Sequence, residues 1–178
     1  MISLKIKRRN IETRNLIKMQ NKWCFLFIAL GMLSCSKQAF FNKYVSLNND
    51  KWAINQPVNF DVEVTDTITP ASIFITVRNT NLYPYSNLYL IVNSYFNHTI
   101  SQIDTLEYEM ADPSGRWLGS GFAEVKENKL VFKTNTNFPK KGAYRFSISH
   151  ANRANGSLKG DEFLIGLTDV GMRIEYKK

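Results

Sequence analysis

From Phe60 onward the chain alternates apolar and polar side chains. Phe60, Val62 and Val64 are separated by Asp61 and Glu63, and Ile73, Ile75 and Val77 alternate with Thr76 and Arg78. Leu88, Leu90 and Val92 form one face of a longer run whose other face carries Tyr89, Ile91 and Tyr95. Leu106, Tyr108 and Met110 alternate with Glu107 and Glu109, and Leu130 and Phe132 with Lys129, Val131 and Lys133. Tyr144, Phe146 and Ile148 alternate with Arg145, Ser147 and Ser149, and Val170, Met172, Ile174 and Tyr176 with Arg173 and Glu175. Alternate side chains of a strand leave on opposite faces, so each run predicts a strand with one buried and one wet face. Seven strands result, with Lys43–Leu47 as an eighth.

Turn residues punctuate the runs at Thr69-Pro70, Tyr83-Pro84, Asp112-Pro113-Ser114-Gly115 and Phe138-Pro139-Lys140-Lys141-Gly142. Asp-Pro-Ser-Gly places proline second and glycine fourth, the pattern of a type I turn. No long stretch repeats at the helical period, although short helical turns fit near Arg116–Leu118 or Asn152–Leu158. The expected fold class is all-β: a two-sheet antiparallel β-sandwich, Ig-like or jelly-roll-like.

The first third of the chain has a different pattern. Lys22 precedes an apolar run of 11 residues, Trp23 to Leu33. A bilayer-spanning helix needs about 20 apolar residues, whereas a run of this length fits a signal-peptide core. Ser34, a small residue, then precedes Cys35. This arrangement predicts a lipoprotein signal peptide over residues 1–34 and a lipid on Cys35. The basic stretch 1–18 is either a long leading region or lies upstream of a true start at Met19. Residues 35–52 read as a lipid-anchored tether that becomes ordered, with Phe40, Phe41 and Trp52 as docking points, and residues 53–178 as the sandwich domain. Ser36 is not the aspartate that marks inner-membrane retention in some bacteria, which favours the periplasmic face of the outer membrane.

Charge then changes the picture less than its total implies. The net charge is +8, but seven of the 23 Lys/Arg and one of the 15 Asp/Glu precede Cys35, leaving 16 bases and 14 acids behind it. The remaining bases are interspersed with acids, so a nucleic-acid partner is not expected. Both cysteines, Cys24 and Cys35, lie in the N-terminal segment. The body therefore has neither a disulfide framework nor a thiolate metal site or nucleophile.

Candidate chemistry is sparse. His98 and His150 are the two histidines, both read as surface or rim residues, and a metal site would need further convergent ligands. Glu107 and Glu109 share one strand face, where paired carboxylates suit glycoside hydrolysis, but their surroundings are a regular polar face and they read as a solvated strand edge. No phosphate-binding loop or nucleophile elbow occurs. No catalytic residue, metal or cofactor is expected. The aromatic residues Tyr83, Tyr85, Tyr89, Tyr95 and Trp117 are the more promising feature, because exposed rings anchor protein partners or stack on sugars. Tyr83, Tyr85 and Trp117 are the candidate partner-binding residues.

Four blocks carry a family resemblance: Tyr83–Leu90 (YPYSNLYL), Asp104–Gly119 (DTLEYEMADPSGRWLG), Gly142-x-Tyr144-x-Phe146 and Asp169–Glu175 (DVGMRIE). Together with the lipoprotein signal they resemble the gliding-motility lipoproteins of the GldH type. That resemblance implies a Bacteroidetes envelope lipoprotein acting in gliding motility and the associated type IX protein secretion, without enzymatic activity. It also implies two kinds of partner: the membrane, through lipid on Cys35, and other envelope proteins of that machinery. A glycan-binding surface lipoprotein is the alternative, and an unrecognised hydrolase a third reading.

Overall fold

A computed structural model describes residues 39–121 and 123–177. The signal peptide, Cys35 and the first part of the tether lie outside the described residues. Ten strands follow in order: β1 (Phe41–Ser46), β2 (Lys51–Ala53), β3 (Val58–Val64), β4 (Ala71–Asn79), β5 (Asn87–Phe96), β6 (Thr99–Glu109), β7 (Lys126–Thr136), β8 (Gly142–His150), β9 (Phe163–Ile165) and β10 (Leu167–Tyr176). One four-stranded sheet has the order β1-β10-β4-β7 and the other β3-β8-β5-β6, while β2 and β9 form a separate two-stranded ribbon. Every pairing is antiparallel. The all-β, two-sheet antiparallel β-sandwich read from the sequence is the fold observed.

The alternation explains the layers. Ile73, Ile75 and Val77 of β4 stand in register with Ile174, Met172 and Val170 of β10 and turn inward. Facing them are Phe60, Val62 and Val64 of β3, Leu88, Leu90 and Val92 of β5, and Phe146 and Ile148 of β8. Each such side chain removed from water contributes roughly 1.5–3 kcal/mol before the entropy of ordering is set against it.

Two expectations are corrected. The eighth strand expected at Lys43–Leu47 is present as β1, but β2 also lies in the segment read as a tether, so the sheet begins before residue 53. β1 pairs with β10 from Phe41↔Ile174 to Ser46↔Asp169, and Phe40 stacks on Tyr176 at 4.4 Å. No helical turn forms at Arg116–Leu118 or Asn152–Leu158; the only helical turn among the described residues is a 3-10 turn at Asn48–Asp50. Trp117 instead makes an isolated β-bridge with Ala111, so the first of these stretches is extended.

The sandwich has two distinct ends. The lower end holds the start of β1, the β3–β4, β5–β6 and β7–β8 connections and the end of β10. The upper end holds the β4–β5 and β6–β7 connections, the β2–β9 ribbon and the loop from Ala151 to Glu162.

Candidate functional site

The upper end gathers the residues singled out in the sequence. The β4–β5 turn carries Tyr83-Pro84-Tyr85, and the segment after β6 carries Asp112 to Leu118. Backbone bonds join them: Met110 N–H and Ala111 N–H both donate to Ser86 O, at 2.8 and 3.1 Å. The Trp117 indole N–H donates to Asn81 Oδ1 at 3.0 Å. Tyr83 sits between the other two aromatics, with ring centroids 6.0 Å from Tyr85 and 6.1 Å from Trp117.

Tyr83, Tyr85 and Trp117 are not equivalent. Tyr83 is 3 % exposed and belongs to the core. Its hydroxyl donates to Asn87 O at 2.7 Å, and burial pushes its pKa up. Its ring therefore packs beneath the surface, while Tyr85 and Trp117 are half-buried above it. Tyr85 Oη donates to Asp161 Oδ2, and that bond, with some burial, raises the Tyr85 pKa to about 12. Beside them Leu82 and Leu118 are 70 % and 53 % exposed.

Asp112 builds its own turn. Its Oδ1 accepts from Ser114 N–H, the Ser114 hydroxyl and Arg116 N–H, and its Oδ2 accepts from Arg116 Nε. The Gly115 N–H donates back to Asp112 O at 2.9 Å, which closes the turn that Asp-Pro-Ser-Gly predicts. The Ser114 hydroxyl, then the Arg116 and Ser114 amides and the Arg116 guanidinium, hold the Asp112 carboxyl down to about 2.

Two further residues were not read from the sequence as part of this end. Asn152 is fully buried; its Oδ1 accepts from Tyr89 N–H at 2.9 Å, and its Nδ2 donates to Asn87 O at 3.2 Å and reaches Tyr83 Oη at 3.5 Å. Asp161 closes the loop that Asn152 begins, since Ala154 N–H donates to its Oδ1 and its own N–H donates to Asn152 O. A signal existed: Tyr144, Phe146 and Ile148 set an inward phase that His150 and Asn152 continue.

His150 corrects the expectation of a surface or rim histidine, being 1 % exposed. The Trp52 ring lies 5.5 Å away, and neither imidazole nitrogen has a hydrogen-bond partner of full geometry. Burial lowers its pKa, with the Trp52 backbone and Asp161 opposing weakly, so the ring is held neutral. His98 is exposed in the β5–β6 turn at the lower end, far along the sandwich from His150. Glu107 is occupied by Tyr89 Oη at 2.6 Å and Asn87 Nδ2 at 3.1 Å. Glu107 and Glu109 stay on one exposed face of β6, while His98 and His150 lie at opposite ends of the sandwich. Among the described residues no group of three or more His, Cys, Asp or Glu is placed to hold a metal ion.

With this geometry in view, comparison with known proteins is informative. The GldH lipoprotein family profile matches residues 39–174. The gliding motility lipoprotein GldH homolog of Christiangramia forsetii is 42 % identical over 151 residues, covering 85 % of this chain and 92 % of that protein. The gliding motility lipoprotein GldH of Flavobacterium johnsoniae is 38 % identical over 161 residues, covering 90 % and 99 %. Among solved structures, the infectious bursal disease virus VP2 subviral particle is 16 % identical with a TM-score of 0.34. That match covers 78 % of this chain but only 33 % of the viral chain, and no functional argument rests on it. A profile match across the whole described sandwich, with two relatives aligned over nearly their full length, settles the family: the chain belongs to the GldH lipoproteins.

Proposed function

We propose that this protein is a non-enzymatic, lipid-anchored component of the envelope machinery for gliding motility and the associated type IX protein secretion. Its lipid is carried on Cys35, and the domain is held at the periplasmic face of the outer membrane. The observation that carries the reading is the placement of the upper end. Phe41 starts β1 at the lower end, and Cys35 precedes it by six residues. Six extended residues reach at most about 20 Å. The lipid therefore keeps the lower end close to the bilayer, and the Tyr85–Trp117 surface belongs to the opposite end.

That surface suits a partner protein. Tyr85 and Trp117 are half-buried rings fixed by hydrogen bonds, with Leu82 and Leu118 exposed beside them. Rigid aromatic anchors lose little entropy on binding. A lipid tether also raises the effective concentration of the domain near other envelope proteins.

Cys35→Ala, scored for membrane fractionation, gliding and secretion of type IX cargo, tests the anchor and the role separately. Loss from the membrane fraction with cargo retained in cells is the expected result. Retention in the membrane would overturn the lipid assignment, and normal secretion by the released protein would overturn the role. Tyr85→Ala and Trp117→Ala should leave the fold intact and reduce capture of envelope partners. Unchanged capture and secretion would remove the upper end from the account.

A further inference from the structure

The two sheets part at the lower end, between edge strands β6 and β7. Higher up, these edges are pinned together: Tyr108 Oη donates to Val131 O at 2.8 Å, and Lys133 Nζ to Gln102 Oε1 at 2.8 Å. Below the pins both edges bulge. β6 has an extra residue where Ser94↔Gln102 gives way to Tyr95↔Ile100, and β7 slips where Ile73↔Lys133 gives way to Ala71↔Thr136. Bulges bend edge strands and open sites beside them. The result is a cleft of about 360 Å³ running between the sheets.

Its lining is mixed in an informative way. Phe96, Phe138, Tyr144 and Phe146 supply ring surface. Ser94 also lines the cleft; it is 5 % exposed, and its hydroxyl has no hydrogen-bond partner. A buried hydroxyl left unpaired costs free energy that a ligand acceptor would recover. Lys133 and Lys140 are the charged groups of the lining, and no carboxylate belongs to it. Lys133 is ion-paired with Asp104 beside the cleft, at 3.7 Å.

We propose that this cleft binds the acyl chain of a single-chain anionic amphiphile, with the tail among the phenyl rings and the head toward Lys133 and Lys140. The volume falls within the range of small-ligand pockets, about 300–1,000 Å³. Ser101, Gln102, Thr136 and Asn137 also line the cleft, and its ring surface together with two lysines suits a tail with an anionic head. Location adds to this: the slot opens at the lower end, where Ile68 is 86 % exposed and Lys140 and Lys141 are also exposed. The nearness of that end to a bilayer rests on the Cys35 reading; the lining does not.

The test uses the full-length protein extracted from envelopes and held in an amphipathic polymer. It is titrated with the fluorescent probe 11-(dansylamino)undecanoic acid, which is then displaced by dodecanoate or by uncharged dodecanol. Saturable one-to-one binding is expected. Ser94→Leu, which fills the slot, should weaken the probe by about tenfold or more. The variant Lys140→Gln, which leaves the Lys133–Gln102 pin in place, should weaken dodecanoate while leaving dodecanol unchanged, and it decides the matter should Ser94→Leu fail to fold. Absence of saturable binding, or binding unaltered in the folded variants, overturns the proposal. Native mass spectrometry of the same sample separates the two sources of acyl chain. A non-covalent adduct is lost on denaturation, whereas lipid bonded to Cys35 remains. Fractionation of Cys35→Ala addresses the anchor alone, so either idea can fail without the other.

Discussion

His150 ends β8 and Asn152 follows it in the loop on the same inward phase, and both are polar and fully buried. Asn152 is satisfied: Asn152→Ala removes its bonds to Tyr89, Asn87 and Tyr83, and should cost about 2–3 kcal/mol in urea denaturation. His150 is neutral in the fold, with a pKa below the 6.5 of the unfolded chain. Between those two values the unfolded chain binds a proton that the folded chain does not. The stability His150 allows is therefore complete above pH 6.5 and is lost as pH falls from there toward the folded-state value. Urea midpoints should drop as pH falls below 6.5, and His150→Gln should flatten the slope. A slope that survives the substitution would show another group responsible. Asp112 works at a lower pH: its hydrogen-bonded turn holds above 3.8 and is lost as pH falls through about 2. Asp112 and its turn were readable because Asp-Pro-Ser-Gly acts locally. The burial of Tyr83 was not readable, because it depends on Gly166, which is remote in sequence. A Cβ at Gly166 would lie 2.3 Å from Tyr83 N, and its φ of +77° also favours glycine. Gly166→Ala should destabilise by about 1–3 kcal/mol and loosen the Tyr83–Tyr85 turn, seen as faster amide exchange there.

Long strands announced themselves and short ones did not. β3, β4, β5, β8 and β10 each carry three or more inward apolar positions, enough to establish a period. β2 and β9 have three residues each and a single large inward side chain apiece, Trp52 and Leu164, so no period exists to read. Yet the ribbon they form covers His150 and much of the upper end. Trp52→Ala should cost about 3–5 kcal/mol. It should also admit water to His150 and weaken the pH dependence described above. Equal pH dependence in this variant and wild type would mean that the ribbon does not shield the histidine. β1 was half-read: its Lys43–Leu47 core was visible, but its amphipathic pattern is weak because it is an edge strand with half-exposed faces.

At the scale of the whole molecule the sandwich was legible because its layers follow from alternation, whereas its two ends were not. Which loops share an end depends on strand order, and no local pattern encodes the order β3-β8-β5-β6. That order brings Tyr85 and Trp117 together, and leaves β6 and β7 as facing edges at one side. It also decides how the domain would bear a load. β1 begins at the lower end, runs upward along β10 through six paired residues, and is joined to the rest of its sheet only through that pairing. A pull on the start of β1 against a hold at the upper end would act along the axis of β1. The ladder bonds lie across that axis. They would be strained together, in shear, instead of being peeled apart one pair at a time, so the domain resists most strongly a pull directed along β1.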